Sequence, residues 1–137
     1  LKSEPSLCGL NVTIPYKEQV ISYLDEMSPV VEKIGACNCI KIEDGKLIGH
    51  NTDVLGFERS LLKKLKPSHS AALILGTGGA SKAVQYVLSK HGISFLQVSR
   101  AKSANTISYE DFNPSVDHKH YAARYVSKYR ISTSHTL

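Results

Sequence analysis

Five apolar residues in a row, Ala71-Ala72-Leu73-Ile74-Leu75, run straight into Gly76-Thr77-Gly78-Gly79-Ala80. A strand this uniformly apolar must be covered on both faces, the condition of an inner strand in a parallel sheet. Beyond the glycines, Ala83, Val84, Val87 and Leu88 recur at helical spacing between Ser81 and His91, and Gly92 is a natural stop. Ile93 to Val98 is the next apolar segment. Strand, helix and strand in this order make one βαβ unit, which sets the class as α/β.

The loop in that unit carries the first chemical signal. Gly76 permits a tight turn, while Gly78 and Gly79 remove side chains where backbone N–H groups would approach a phosphate. The start of the following helix, with its dipole, favours that anion. The pattern reads as a dinucleotide loop spanning Gly76, Thr77, Gly78, Gly79 and Ala80. Ser81 stands where a third glycine would complete Gly-x-Gly-x-x-Gly, so a plain structural turn stays open as the alternative. The next strand ends Gln97-Val98-Ser99-Arg100, with Lys102 two residues on. An acid here would hold the ribose 2′-hydroxyl of NAD. A guanidinium instead pairs with a 2′-phosphate, so the reading is NADP, against an exposed basic loop.

Upstream, the signals are shorter. Leu10 to Ile14 reads as a strand, and Pro15 suits the first position of a helix whose apolar stripe is Val20, Ile21 and Leu24. Ser28-Pro29 opens another short helix that Gly35 stops. Cys37 to Ile42 and Leu47 to His50 flank Asp44-Gly45, a hairpin signal. Val54, Leu55, Glu58, Leu61, Leu62 and Leu65 then read as an amphipathic helix ending near Lys66-Pro67. The polar break at 66–70 divides the chain into residues 1–67 and 68–137. Asn11, Thr13 and Lys17 fall at a strand-to-helix junction, where side chains face a cleft. On residues alone Lys17 reads as a surface lysine. Asn38 interrupts an apolar strand, where an amide needs partners, and Asp53 reads equally as a helix cap.

The chain has 137 residues, 42% of them hydrophobic and 21% charged, enough for a packed core. No run of 18 apolar residues exists, so no spanning helix is expected, and the first residues carry no secretory pattern. Cys8, Cys37 and Cys39 are too few and wrongly spaced for a disulfide framework or a zinc site, which points to reduced thiols and a cytoplasmic setting. The net charge of +5 invites a nucleic-acid reading. However, 13 of the 17 Lys and Arg share residues 1–117 with all 12 acids, while Lys119, Arg124, Lys128 and Arg130 lie in the last twenty without one. Such an excess describes a solvated end and no folded basic face. In that tail Tyr121, Tyr125 and Tyr129 fall at helical spacing.

Several of these segments together resemble the shikimate dehydrogenase family. GLNVTIPYK at residues 9–17 looks like its substrate-domain motif. GACNC at 35–39 is similar to its GAxNT segment, with Cys39 in place of Thr. GHNTDVLG at 49–56 resembles GxNTDxxG, and GTGGASKA at 76–83 resembles GxGGAxxA. Order and spacing agree over residues 7 to about 112. The resemblance implies a partial substrate domain over 1–67, then the first part of an NADP-binding Rossmann domain over 68–137, with 118–137 atypical. It implies reversible reduction of 3-dehydroshikimate to shikimate in aromatic amino-acid biosynthesis. Lys17 and Asp53 would be the catalytic pair, with Thr13, Lys17, Asn38 and Asp53 on the substrate. Gly76 to Ala80 would hold the pyrophosphate, and Ser99, Arg100 and Lys102 the adenosine phosphate. The partner is then a small molecule, with no nucleic acid, membrane or metal, and the protein a monomer or homodimer. An NAD-preferring quinate/shikimate dehydrogenase and a non-catalytic nucleotide-binding fragment are the competing readings.

The family pattern also has pieces with no counterpart here. No Ser-x-Ser motif precedes Gly9, Ala101 stands where Thr follows the Arg, and His118 to Leu137 matches none of the family's later segments. The expectation is a chain short at both ends, with about two parallel strands in its nucleotide half and impaired activity. The arrangement hangs on one spatial requirement. Lys17 and Asp53 must share a cleft that faces the glycines at 76–79.

Overall fold

The computed structural model describes residues 6–100, 106–111 and 123–126, the last of these by backbone alone. Lys102 and most of the tail lie outside the described residues. Among the described residues the chain forms two four-stranded sheets joined by helices.

The first sheet holds β1 (Gly9–Asn11), β2 (Glu26–Met27), β3 (Cys39–Glu43) and β4 (Lys46–His50) in the order β1-β3-β4-β2. β3 and β4 are the expected hairpin. Asp44 and Gly45 both take positive φ, 50° and 73°, as a two-residue turn matched to the twist of its strands requires. β2 pairs parallel with β4 and was not expected. Its demand for extended chain at Glu26 limits what precedes it. The segment read as a helix from Pro15 is instead a turn followed by one five-residue 3₁₀ stretch, Gln19–Tyr23. The Ile14–Pro15 peptide is cis, and the Tyr16 N–H bonds back to the Thr13 carbonyl at 2.8 Å. The helical spacing of Val20, Ile21 and Leu24 has another cause. All three pack on the core formed by Val31, Cys37, Ile40 and Leu47.

Helix α1 (Pro29–Ile34) begins and ends as read, with proline in its first turn and Gly35 left-handed at φ 62°. Helix α2 (Thr52–Leu62) stops about a turn short of the expected Lys66. Its cap is Asn51, whose side-chain oxygen accepts from the Val54 N–H at 3.2 Å, and not Asp53.

The second sheet holds β5 (Ala71–Leu75), β6 (Ser94–Ser99), β7 (Thr106–Ser108) and β8 (Ala123–Val126), all parallel, in the order β7-β6-β5-β8. This sheet has twice the expected number of strands. The tyrosine spacing in the tail suggested a helix, but Ala123–Val126 pairs with β5 as a strand. A central strand with one open flank leaves a row of N–H and C=O groups unpaired, and a neighbouring strand satisfies them. Helix α3 (Gly79–Lys90) covers this sheet, with Val84 and Leu88 packed on Ala72, Ile74 and Ile93. Its other buried side, Ala83 and Val87, packs with Val54 of α2 and takes in Val30 and Ile34 of α1. One helix therefore faces the second sheet on one side and α1 and α2 on the other, and through those two helices it sets the two sheets in relation to each other.

The three cysteines are free thiols. Burial pushes the Cys37 thiol up, and its S–H lies 3.3 Å from the Cys39 carbonyl.

Candidate active site

Lys17 follows the turn at Thr13–Tyr16, and its carbonyl accepts from the Cys37 N–H at 2.7 Å. That bond ties the loop to the segment leading into β3, which carries Asn38. Asn38 in turn is fixed by main-chain bonds on both sides, its carbonyl to Val12 N–H at 2.8 Å and its N–H to the His50 carbonyl at 3.1 Å. Asp53 sits in the first turn of α2, where a carboxylate is favoured by the helix dipole. Asn51 secures that helix start by donating its amide to the Ala36 carbonyl at 2.9 Å.

These anchors bring three expected residues together. Lys17 Nζ donates to Asp53 Oδ2 at 2.7 Å, and Asn38 Nδ2 donates to Asp53 Oδ1 at 2.9 Å. Asn38 also donates to Thr52 Oγ1 at 2.9 Å and accepts from the Thr52 N–H at 2.8 Å. The amide is thus fully engaged in orienting the carboxylate and the helix start. The lysine side chain is 12% exposed and the aspartate 35%. The ammonium is mostly withdrawn from water while its counterion still reaches solvent. An ammonium held in this way at a cleft can give a proton to an oxygen and be returned one from solvent. Thr13 is exposed beside the turn and joins none of these bonds.

The glycine loop leaves β5 at the edge where β6 also ends, since Leu75 pairs with Val98 and Gly76 N–H bonds the Val98 carbonyl at 2.8 Å. Gly76 has φ 114°, a conformation that L side chains rarely adopt. Ser81, in the third-glycine position, is fully buried and gives its hydroxyl to the Gly78 carbonyl at 2.7 Å. It closes the loop from below, so the missing glycine leaves no gap. Gln97 Nε2 reaches the Gly76 carbonyl at 3.3 Å. Sequence reasoning missed Gln97, Thr52 and Lys82. A polar residue inside the apolar run of β6 was the only signal for the first.

The loop also faces the pair. A methyl group placed on Gly79 would stand 3.1 Å from Lys17 Cβ. The Lys17 stem therefore lies against the first residue of α3, while its ammonium reaches Asp53. Ser99 ends β6 and Arg100 follows it, exposed, at the same sheet edge.

With β8 on one side of β5 and β6 on the other, the glycine loop lies where strand order reverses, the position at which open α/β sheets take ligands. The turn geometry, the exposed Thr77 and Gly78, and the helix start that follows fit a dinucleotide pyrophosphate. Among the described residues no three His, Cys, Asp or Glu side chains come close enough to hold a metal ion.

Known proteins answer to the same combination. A family model described as the shikimate dehydrogenase substrate binding domain matches residues 1–40. The NADP(+) shikimate dehydrogenase of Methanococcus vannielii is 34% identical over 129 residues, covering 93% of this chain and 45% of that protein. Shikimate dehydrogenase 1 of Peptoclostridium difficile superposes with a TM-score of 0.69 at 40% identity, over 77% of this chain and 41% of that one. Over the part they share, this chain is similar to the shikimate dehydrogenases. Shikimate 5-dehydrogenase of Thermus thermophilus in complex with NADP(H) and shikimate superposes at 0.64 with 37% identity, over 71% of this chain and 37% of that one. The chain spans less than half the length of the relatives it matches. In family terms it is a part of the substrate-binding domain followed by Rossmann-type sheet. Among the described residues no helix is long and apolar enough to cross a membrane.

Proposed function

We propose that this chain carries the proton-transfer machinery of an NADP-dependent shikimate dehydrogenase, an enzyme that reduces 3-dehydroshikimate to shikimate and runs in reverse. The observation that carries the reading is the Lys17–Asp53 pair set against the glycine turn. Residues 1–67 serve as the substrate-binding part and 68–137 as the nucleotide-binding part. Gly76 to Ala80 hold the pyrophosphate, and Ser99, Arg100 and Lys102 the adenosine phosphate.

NADPH would supply the hydride when bound. The ketone oxygen that becomes the alcohol needs a proton, and Lys17 Nζ gives it. Asp53 Oδ2 holds the ammonium in place and aims it, and Asn38 prevents the carboxylate from rotating away. The ketone has then gained a hydride and a proton and left as an alcohol. Thr13, exposed and unengaged, suits a ring hydroxyl. Asn38 must share its bonds with Thr52 and Asp53 to take one.

Lys17→Ala tests the assignment. We expect turnover to fall about 10²- to 10⁴-fold, with NADPH binding retained in titration calorimetry. Near-normal turnover removes Lys17 from the mechanism. Comparing kcat/KM with NADPH and NADH tests Arg100. A preference for NADH would favour the quinate/shikimate alternative. NADPH binding without turnover or shikimate binding would favour a non-catalytic nucleotide-binding role.

A further inference from the structure

Gly35, Gly45, Gly76 and Gly92 occupy the left-handed region, but Gly79 does not. Its backbone accepts any residue, so the absence of a side chain is a matter of room. That room serves either the phosphate of a dinucleotide or another part of the protein. A methyl placed on Gly78 meets nothing within 4 Å, whereas one on Gly79 stands 3.1 Å from Lys17 Cβ and 3.5 Å from its Cδ. The stem of Lys17 therefore lies along the first residue of α3.

Neighbouring contacts leave that stem little freedom. The Lys17 carbonyl is held by Cys37 and its ammonium by Asp53. Lys82, three residues beyond Gly79 and so on the same face of α3, holds Glu18 Oε2 at 2.8 Å and reaches the Gly35 carbonyl at 3.4 Å. The first turn of α3 thus grips two consecutive residues, Lys17 by packing and Glu18 by charge.

We infer that Gly79 is a positioning residue for Lys17. By having no side chain it lets the first turn of α3 serve as the rest on which the lysine stem is set toward Asp53. The loop proposed to hold the pyrophosphate and the group proposed to give the proton are then one packed unit. This rests on the reading of Lys17 as the acid. Gly79 touches the lysine stem and acts through it. A methyl there requires the stem to give by a few tenths of an ångström, and a branched side chain requires more.

The test uses Gly79→Ala and Gly79→Val in the purified protein. Lysine acetylation is mapped by mass spectrometry, beside melting temperature, NADPH affinity and turnover. Acetylation of Lys17, mostly shielded here, is expected to rise several-fold in Gly79→Val relative to exposed Lys41. Gly79→Ala is expected to lower kcat by up to about a hundredfold, the cost of a misplaced catalytic group. Alanine favours helix, so its melting temperature should not fall. Added to Lys17→Ala, it should lower kcat no further. Wild-type Lys17 acetylation in both variants, with weakened NADPH binding, overturns the inference and gives the room to the phosphate. If Gly79→Val fails to fold, Gly79→Ala decides through its acetylation and its loss in the Lys17→Ala background. Acetylation reports the lysine's place without turnover, so an inactive parent counts against the proposed function alone.

Discussion

Asp53 accepts from an ammonium on one oxygen and from an amide on the other, and the two bonds do different work. Asp53→Asn keeps the shape and removes the charge, so Lys17 loses the anion that aims it. Turnover should fall about 10²-fold or more, with the helix start intact by circular dichroism. The residue types of this site were legible in the sequence because GLNVTIPYK, GACNC and GHNTDVLG carry them. The bonding was not. Asn38 reaches Thr52 and Asp53 across a gap in sequence that only the β3–β4 hairpin closes. Asp53 also read as the cap, a place that Asn51 takes, since both residue types accept bonds from a helix start.

At the scale of elements, Asn51 joins two pieces of structure. Its oxygen caps α2 and its nitrogen satisfies the buried-side carbonyl of Ala36. Asn51→Ala removes the cap and strands that carbonyl, and should cost about 2 kcal/mol in denaturant unfolding. Activity should fall as well, because Asp53 sits in the turn that the cap secures. Elements whose signal is local were readable: the Asp-Gly hairpin, the Ser28-Pro29 start and Gly35 stop of α1, and the βαβ unit. Those that depend on a distant partner were not. β2 has only two residues, and it is extended because β4 offers it a parallel edge. β8 is a strand because β5 has a second flank. The 3₁₀ stretch at Gln19–Tyr23 misled because three residues facing a core can mimic a helical stripe over so short a length.

Across the whole molecule, α3 is the joint between the two sheets, and its far end is fastened by charge. Glu58 of α2 accepts from Lys90 Nζ, 2.9 Å from Oε1, and shares that oxygen with His91 Nε2 at 2.7 Å. Lys90, then His91, holds the Glu58 carboxyl below the usual carboxylate range. A carboxylate with a depressed folded pKa contributes stability above its unfolded pKa and loses it as pH falls through the lowered value. Wild-type melting temperature should therefore drop as pH is taken from neutral into that acid range. In Glu58→Gln part of that drop should vanish, together with some stability at neutral pH. Nothing in the sequence pairs Glu58 with residues 90 and 91, because the contact exists only once α2 and α3 lie side by side.

The strand order β7-β6-β5-β8 has a consequence for how the protein is made. β5 is flanked on both sides by strands that the ribosome delivers after it, and the second of them begins only at Ala123. During synthesis the most apolar segment of the nascent polypeptide must wait, half-sheltered by α3, until the last partner emerges. The interval before that late closure is when the protein is most exposed to self-association and most in need of a chaperone.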